Sequence, residues 1–264
     1  MDFGSIVGLV IGIIALFSAL VIETGSVSIV FQPLAFIVVM GGSIGAVMIN
    51  FSPAHLLSAY RDVKNVFMRT EEQPVELAVQ ILDLSTVARQ NGLLSIQSYI
   101  QNIQNPFLTH SIKLSLDINN TQLLKEILYS EIQTEEERLS YSVHVLEALG
   151  GYSPTFGVLG AVLGLIGVMK NLESPHELGQ GIATAFIATL YGVGFANMLF
   201  LPLAGKLRFK LKERIVINEM IAEGILAIHN GENPALIEEK LLRYLRYFNM
   251  SNNFNSDFTA EEVF

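Results

Sequence analysis

No cysteine occurs anywhere in the 264 residues, so disulfides, thiolate metal sites and cysteine nucleophiles are all excluded. Charge is scarce as well. Asp, Glu, Lys and Arg make up 16% of the chain, hydrophobic residues 51%, and the mean hydropathy is +0.46. That balance fits a bilayer better than a soluble core. The net charge of −9 supplies no basic patch to neutralise phosphates, which argues against nucleic acid as a partner. Histidines 55, 110, 144, 176 and 229 are scattered, with no pair at metal-ligand spacing. Phosphate loops and nucleophile elbows are missing, so the chain is read as neither an enzyme nor a metalloprotein.

The apolar residues lie in four runs. Phe3 to Ile22 has no ionisable residue, and after Glu23 none appears before His55. Two later uncharged stretches, Ala148 to Met169 and Leu178 to Gly205, are separated by one short polar loop. About 20 apolar residues span a hydrocarbon core of roughly 30 Å. The expected fold class is therefore all-α: a polytopic membrane protein with four transmembrane helices and a helical cytoplasmic domain. Its expected domains are 1–50 (spans one and two), 51–147 (cytoplasmic helices), 148–206 (spans three and four), 207–250 (C-terminal cytoplasmic helices) and 251–264, a tail expected to be disordered. The first run has no preceding Lys or Arg and exceeds a signal-peptide core, so it is expected to be retained.

Lys and Arg set the orientation. Arg61, Lys64 and Arg69 follow span two, Lys206, Arg208, Lys210, Lys212 and Arg214 follow span four, and the hairpin loops hold only Lys170. Positive flanks stay in the cytoplasm, so both polar blocks and both termini are expected there.

Within the first polar block Pro53 opens a helix in which Leu56, Leu57, Tyr60, Val63, Val66 and Phe67 recur at helical spacing. Leu77, Ile81, Leu84 and Ala88 continue until Asn91-Gly92. Thr134 and Glu137 form a capping-box pattern that opens a helix into span three. Beyond span four an amphipathic helix is expected to break at residues 230–234, with a short helix from Ala235 to Phe248.

Spans three and four carry small residues at steps of three and four: Gly157, Gly160, Ala161, Gly164 and Gly167, then Gly181, Ala185, Ala188, Thr189, Gly192 and Ala196. Two readings stand side by side. Such faces let helices pack closely inside one subunit. They also could line a narrow path, with Thr184 and Thr189 as its hydroxyls. No span holds the ionisable group a proton or cation path needs near the midplane, so a conducting chain requires a carboxylate lent by a partner helix. Pro154 and Pro202, near the cytoplasmic ends of spans three and four, remove backbone bonds and mark fixed bends or hinges.

These residues resemble the flagellar stator A subunits, MotA and its sodium-type relative PomA, within the wider MotA/TolQ/ExbB proton-channel class. The resemblance covers residues 1 to 247. It rests on SPTFGVLGAVLGL at 153–165, AFIATLYG at 185–192, Asn197-Met198 and Pro202, with support from MGGS at 40–43, ARQNGLL at 88–94 and GENP at 231–234. It implies a homopentamer of this chain around two MotB-like subunits (5:2), each with one transmembrane helix bearing an Asp. Ion flow past that Asp would drive rotation and force on the rotor protein FliG, in the inner membrane, for motility and chemotaxis. Carried over by position, Thr189 is a pore-lining hydroxyl, Pro154 and Pro202 are coupling prolines, and Arg89 faces the rotor, while the small-face reading adds Gly157, Gly160, Ala161, Gly164 and Thr184 to the lining of the ion path. Glu135, Glu136, Glu137 and Arg138 are further rotor-interface candidates, though a charge run is commonly a solvated face. Ala161 stands where sodium-type members have Thr, and a methyl group offers sodium no oxygen, so H+ is expected rather than Na+. Gln90 and Gln97 depart from the charged residues common in the family. The alternatives are an ExbB/TolQ-like energising subunit, usually with three spans, or a non-conducting membrane scaffold.

Overall fold

The computed structural model describes residues 3–24, 30–68, 73–170 and 175–252, and among these every regular element is helical. Helix α1 runs Phe3–Thr24 and α2 Pro33–Asn50, with one π-helical turn at Ile37–Gly41 inside it. Helix α3 is Pro53–Met68 and α4 Pro74–Asn91; a 3-10 segment, Leu93–Asn102, leads to α5, Pro106–Asp117. Helix α6 runs Thr121–Lys170 without a break, and α7, Pro175–Phe195, passes through a second π turn, Ala196–Phe200, into α8, Leu201–His229. Helix α9, Pro234–Asn252, ends the described chain.

Among the described residues, three stretches are long and apolar enough to cross a membrane: Pro33–Asn50, part of Thr121–Met169 and part of Leu178–His229. With 22 residues, or ~33 Å at the α-helical rise, α1 has the length for a fourth crossing. Within the two long rods the uncharged parts are Ala148 to Met169 and Leu178 to Gly205.

Several expected boundaries hold and others move. Asn91 ends α4, and Gly92 takes φ 84°, a conformation that needs no Cβ penalty only in glycine. Gly231, φ 69°, does the same after α8. The expected helix start at Thr134 is corrected: α6 begins thirteen residues earlier, where the Asn120 side chain accepts from the backbone N–H groups of Gln122 and Leu123. Asparagine is a stronger N-cap than threonine, and Thr134 instead donates to the Ser130 carbonyl one turn back. Helix α9 extends past Phe248 through Ser251 and Asn252, two residues assigned above to the tail; the rest of that tail lies outside the described residues. Pro154 is accommodated within α6 rather than ending it.

The chain clusters into two compact units, Met1–Arg69 with Leu139–Phe209 and Thr70–Arg138 with Lys210–Phe264. These cuts differ from the expected ones because α3 and the start of the third rod pack with the spans. Ala59 is buried with Val47 and Val145, Asp62 accepts a 2.6 Å bond from the buried Ser142 hydroxyl, and His55 stacks on Tyr141. The second unit has its own core, centred on Ile81, Ile112, Met220, Ile221, Ile225 and Leu241. Gly224 sits inside it because a Cβ there would fall 2.6 Å from Ile81.

Candidate ion path and charged face

The glycines of spans three and four form a seam between the two rods. A Cβ at Gly157 would lie 3.0 Å from the Ala188 carbonyl and 3.2 Å from the Gly192 Cα. At Gly164 it would meet Ala185 N at 3.0 Å and Gly181 O at 3.1 Å, and at Gly160 the Ala188 methyl at 2.8 Å. The three glycines are thus filled by the chain's own fourth span, the close approach that small residues permit between membrane helices. Gly167, sharing their spacing, has nothing within 4 Å. Of the residues assigned above to the ion path, Ala161 and Thr189 remain partly open to the outside, beside exposed Val158 (57%) and Phe186 (73%).

Neither threonine has a hydroxyl hydrogen to spare. Thr189 donates to the Ala185 carbonyl at 3.3 Å. Thr184, buried, lies 2.9 Å from the Gln180 carbonyl and 3.4 Å from the Gln32 side-chain oxygen. Such back-bonding is how an intramembrane hydroxyl is usually satisfied. Their oxygens keep lone pairs that can accept a hydrogen bond. Thr184 belongs to a polar contact between spans two and four that sequence reasoning missed: the Tyr191 hydroxyl donates to the Val30 carbonyl, and the Tyr191 ring meets Phe36 edge-on at 6.2 Å. A tyrosine within an apolar helix needs such an acceptor, which was the available signal.

Pro202 lies one residue beyond the π turn, after Leu201. Its ring lacks the N–H that would pair with the Met198 carbonyl one turn back, and the widened turn Ala196–Phe200 occupies that place. Pro154 is half-buried, and its Cα lies 3.1 Å from where a Gly192 Cβ would be, so span four packs directly on it. Just beyond the uncharged stretches of the same rods Arg208 pairs with Glu147, which also takes the His144 ring nitrogen at 3.2 Å.

In the second unit the run 135–138 divides. Glu136, Glu137 and Arg138 are exposed. Glu135 turns inward: one oxygen takes Arg214 at 2.8 Å and the other takes the side-chain amide of buried Asn218 at 3.1 Å. Removing that acceptor in Glu135→Leu strands a buried amide donor and is expected to cost about 1–3 kcal/mol. Glu136→Gln, on the open face, should stay within about 0.5 kcal/mol, and thermal unfolding of the purified variants measures both. Arg89 is exposed at the end of α4, lining a cavity of about 140 Å³ with Ser85, Leu93, His229 and Glu232. Nearby, Lys240 bridges Glu223 and Glu232 at 3.1 and 2.9 Å. Burial raises the Tyr244 hydroxyl to about 12, helped by Tyr129, Glu223 and Glu219. The Glu219 carboxyl is raised too, first by burial and then by Glu136.

Long uncharged helices packed through a glycine seam define a polytopic membrane protein. Residues 99–220 match the MotA/TolQ/ExbB proton channel family, and residues 6–92 match the motility protein A N-terminal family. Motility protein A of Bacillus subtilis is 30% identical over 93% of this chain and 91% of its own length. The fold agrees with a structure of Campylobacter jejuni MotAB (TM-score 0.86, 28% identity, 92% of this chain and 96% of that one). It agrees likewise with the flagellar MotAB stator complex of Bacillus subtilis (TM-score 0.83, 30% identity, 93% and 97%). The chain belongs to the motility protein A family.

Proposed function

We propose that this chain is the channel-forming, torque-generating A subunit of a flagellar stator, a multi-pass protein of the bacterial inner membrane with both termini in the cytoplasm. One observation carries the reading: the membrane segments hold no Asp, Glu, His, Lys or Arg. An ion crossing the hydrocarbon core needs a charge or ligand there, so a MotB-like partner with one helix bearing an Asp supplies it, five copies of this chain surrounding two of the partner. Ala161 and Thr189, partly open beside Val158 and Phe186, mark where such a helix approaches. The coupling ion is H+: Ala161 offers no oxygen, and with no more than threonine lone pairs beside it the site is poor in ligands for Na+. Pro154 and Pro202 carry movement from the path toward the cytoplasmic helices. Exposed Arg89, Glu136, Glu137 and Arg138 then meet the rotor protein FliG.

Reconstitution in liposomes tests the assignment. The chain alone should pass no specific, saturable ion current, and the chain with its partner should acidify the vesicle lumen under an inward proton gradient. Current through the chain alone would overturn the division of labour. Swimming that follows external sodium and ignores a protonophore would overturn the ion, and normal swimming in both Thr189→Ala and Pro154→Ala would favour a scaffold.

A further inference from the structure

Helix α3 has two faces, and the spans account for only one. Ala59 is buried against Val47 and Val145, Val63 packs with the cluster around Val143 and Leu146, and Asp62 is held by Ser142. The other stripe, Leu57, Tyr60, Arg61 and Lys64, has the i, i+3, i+4, i+7 spacing of a single helix face. All four side chains are exposed, Leu57 by 50% and Tyr60 by 69%. Arg61 and Lys64 have no hydrogen bond or ion pair among the described residues. Asp62, the helix's one acid, is turned inward, so the open stripe is apolar, aromatic and purely basic.

Its position fixes what such a stripe can meet. Only Phe51 and Ser52 separate α2 from α3, a link of at most about 7 Å. The headgroup layer is about 5–8 Å deep on each side of the core. The first turns of α3, packed on Ala148, Leu149 and Tyr152 at the mouth of span three, therefore stay beside that layer. Tyr is favoured at this depth, and Arg and Lys snorkel from it to phosphate.

We propose that the Leu57–Tyr60–Arg61–Lys64 face of α3 lies in the headgroup layer and binds anionic phospholipid, the leucine and tyrosine among upper acyl carbons and the two cations on phosphate. A second copy of the chain fits less well, since it would have to bring carboxylates to a stripe that offers only positive charge. Each basic residue beside an anionic surface is worth about 1 kcal/mol, roughly a fivefold preference for anionic over zwitterionic lipid.

The chain has no tryptophan, so Tyr60→Trp gives it a single reporter. The assembled complex, with the spectrum of the unsubstituted complex subtracted, is placed in nanodiscs whose lipids are brominated near the headgroup end of the acyl chain. The reporter should lose most of its emission there and keep more of it with bromine near the chain terminus. The joint variant Arg61→Gln, Lys64→Gln should lower the enrichment of phosphatidylglycerol over phosphatidylcholine around the complex by at least fivefold, while the complex still elutes at its normal size. Emission at the wavelength of water-exposed indole, unquenched by either lipid, overturns the proposal. Blue-shifted emission equally indifferent to bromine also overturns it, assigning the face to protein. Unchanged lipid enrichment in the joint variant removes the electrostatic part of the claim.

Discussion

Gly192→Val should abolish swimming, and Gly194→Val should leave the membrane fold intact. The two positions are one turn-fraction apart in the same span, yet a Cβ at Gly192 would fall 2.6 Å from the Ser153 carbonyl, 3.0 Å from the Gly157 Cα and 3.1 Å from the Pro154 Cα. All three neighbours are backbone atoms, which cannot rotate aside as a side-chain tip can. Overpacking commonly costs about 1–3 kcal/mol, and a rigid seam places this case at the upper end or beyond. Gly194 has nothing within 4 Å. Gly164→Val and Gly167→Val form the matching pair on span three. Swimming speed, with membrane levels of the chain as control, reads all four; free swimming in Gly192→Val would mean that the seam opens at little cost.

Leu241→Ala should destabilise the second unit by about 2–5 kcal/mol, the usual range for emptying a leucine-sized space in a core. Leu241 is fully buried, and its neighbours Ile81, Ile225 and Ile237 are likewise closed to solvent. Leu236, on the same helix but 46% exposed, is the control, and its alanine variant should move stability by no more than about 0.5 kcal/mol. The loss of helical signal on heating the purified protein compares them. Equal melting of the two variants would show that α9 does not hold this core together.

Much of this architecture was legible before any coordinates. The uncharged runs marked the spans because burying a charge in hydrocarbon is costly, and Asn91-Gly92 and Gly231 announced their helix ends through backbone conformations that suit glycine. Periodicity could not say which of several equivalent small faces meets which neighbour. Gly164 and Gly167 look alike in the sequence, and only the placement of span four separates them. The same limit applied to α3, where Leu56 and Leu57 entered one apolar face on spacing alone while the fold turns them to different sides. Glu135 was hidden in a run of four charges because an inward carboxylate depends on Arg214 and Asn218, some eighty residues further on. Thr134 misled because its local pattern was sound, and a stronger cap at Asn120 had already started the helix.

The π turns at Ile37–Gly41 and Ala196–Phe200 make spans two and four unusual in their tolerance of shortening. A π turn holds one residue more than the α turn it replaces. Deleting Val38 or Met198 would therefore let the ladder close as ordinary α-helix, with the flanking faces still aimed as they are. Deleting a residue elsewhere in these spans would swing one half past the other by about 100°.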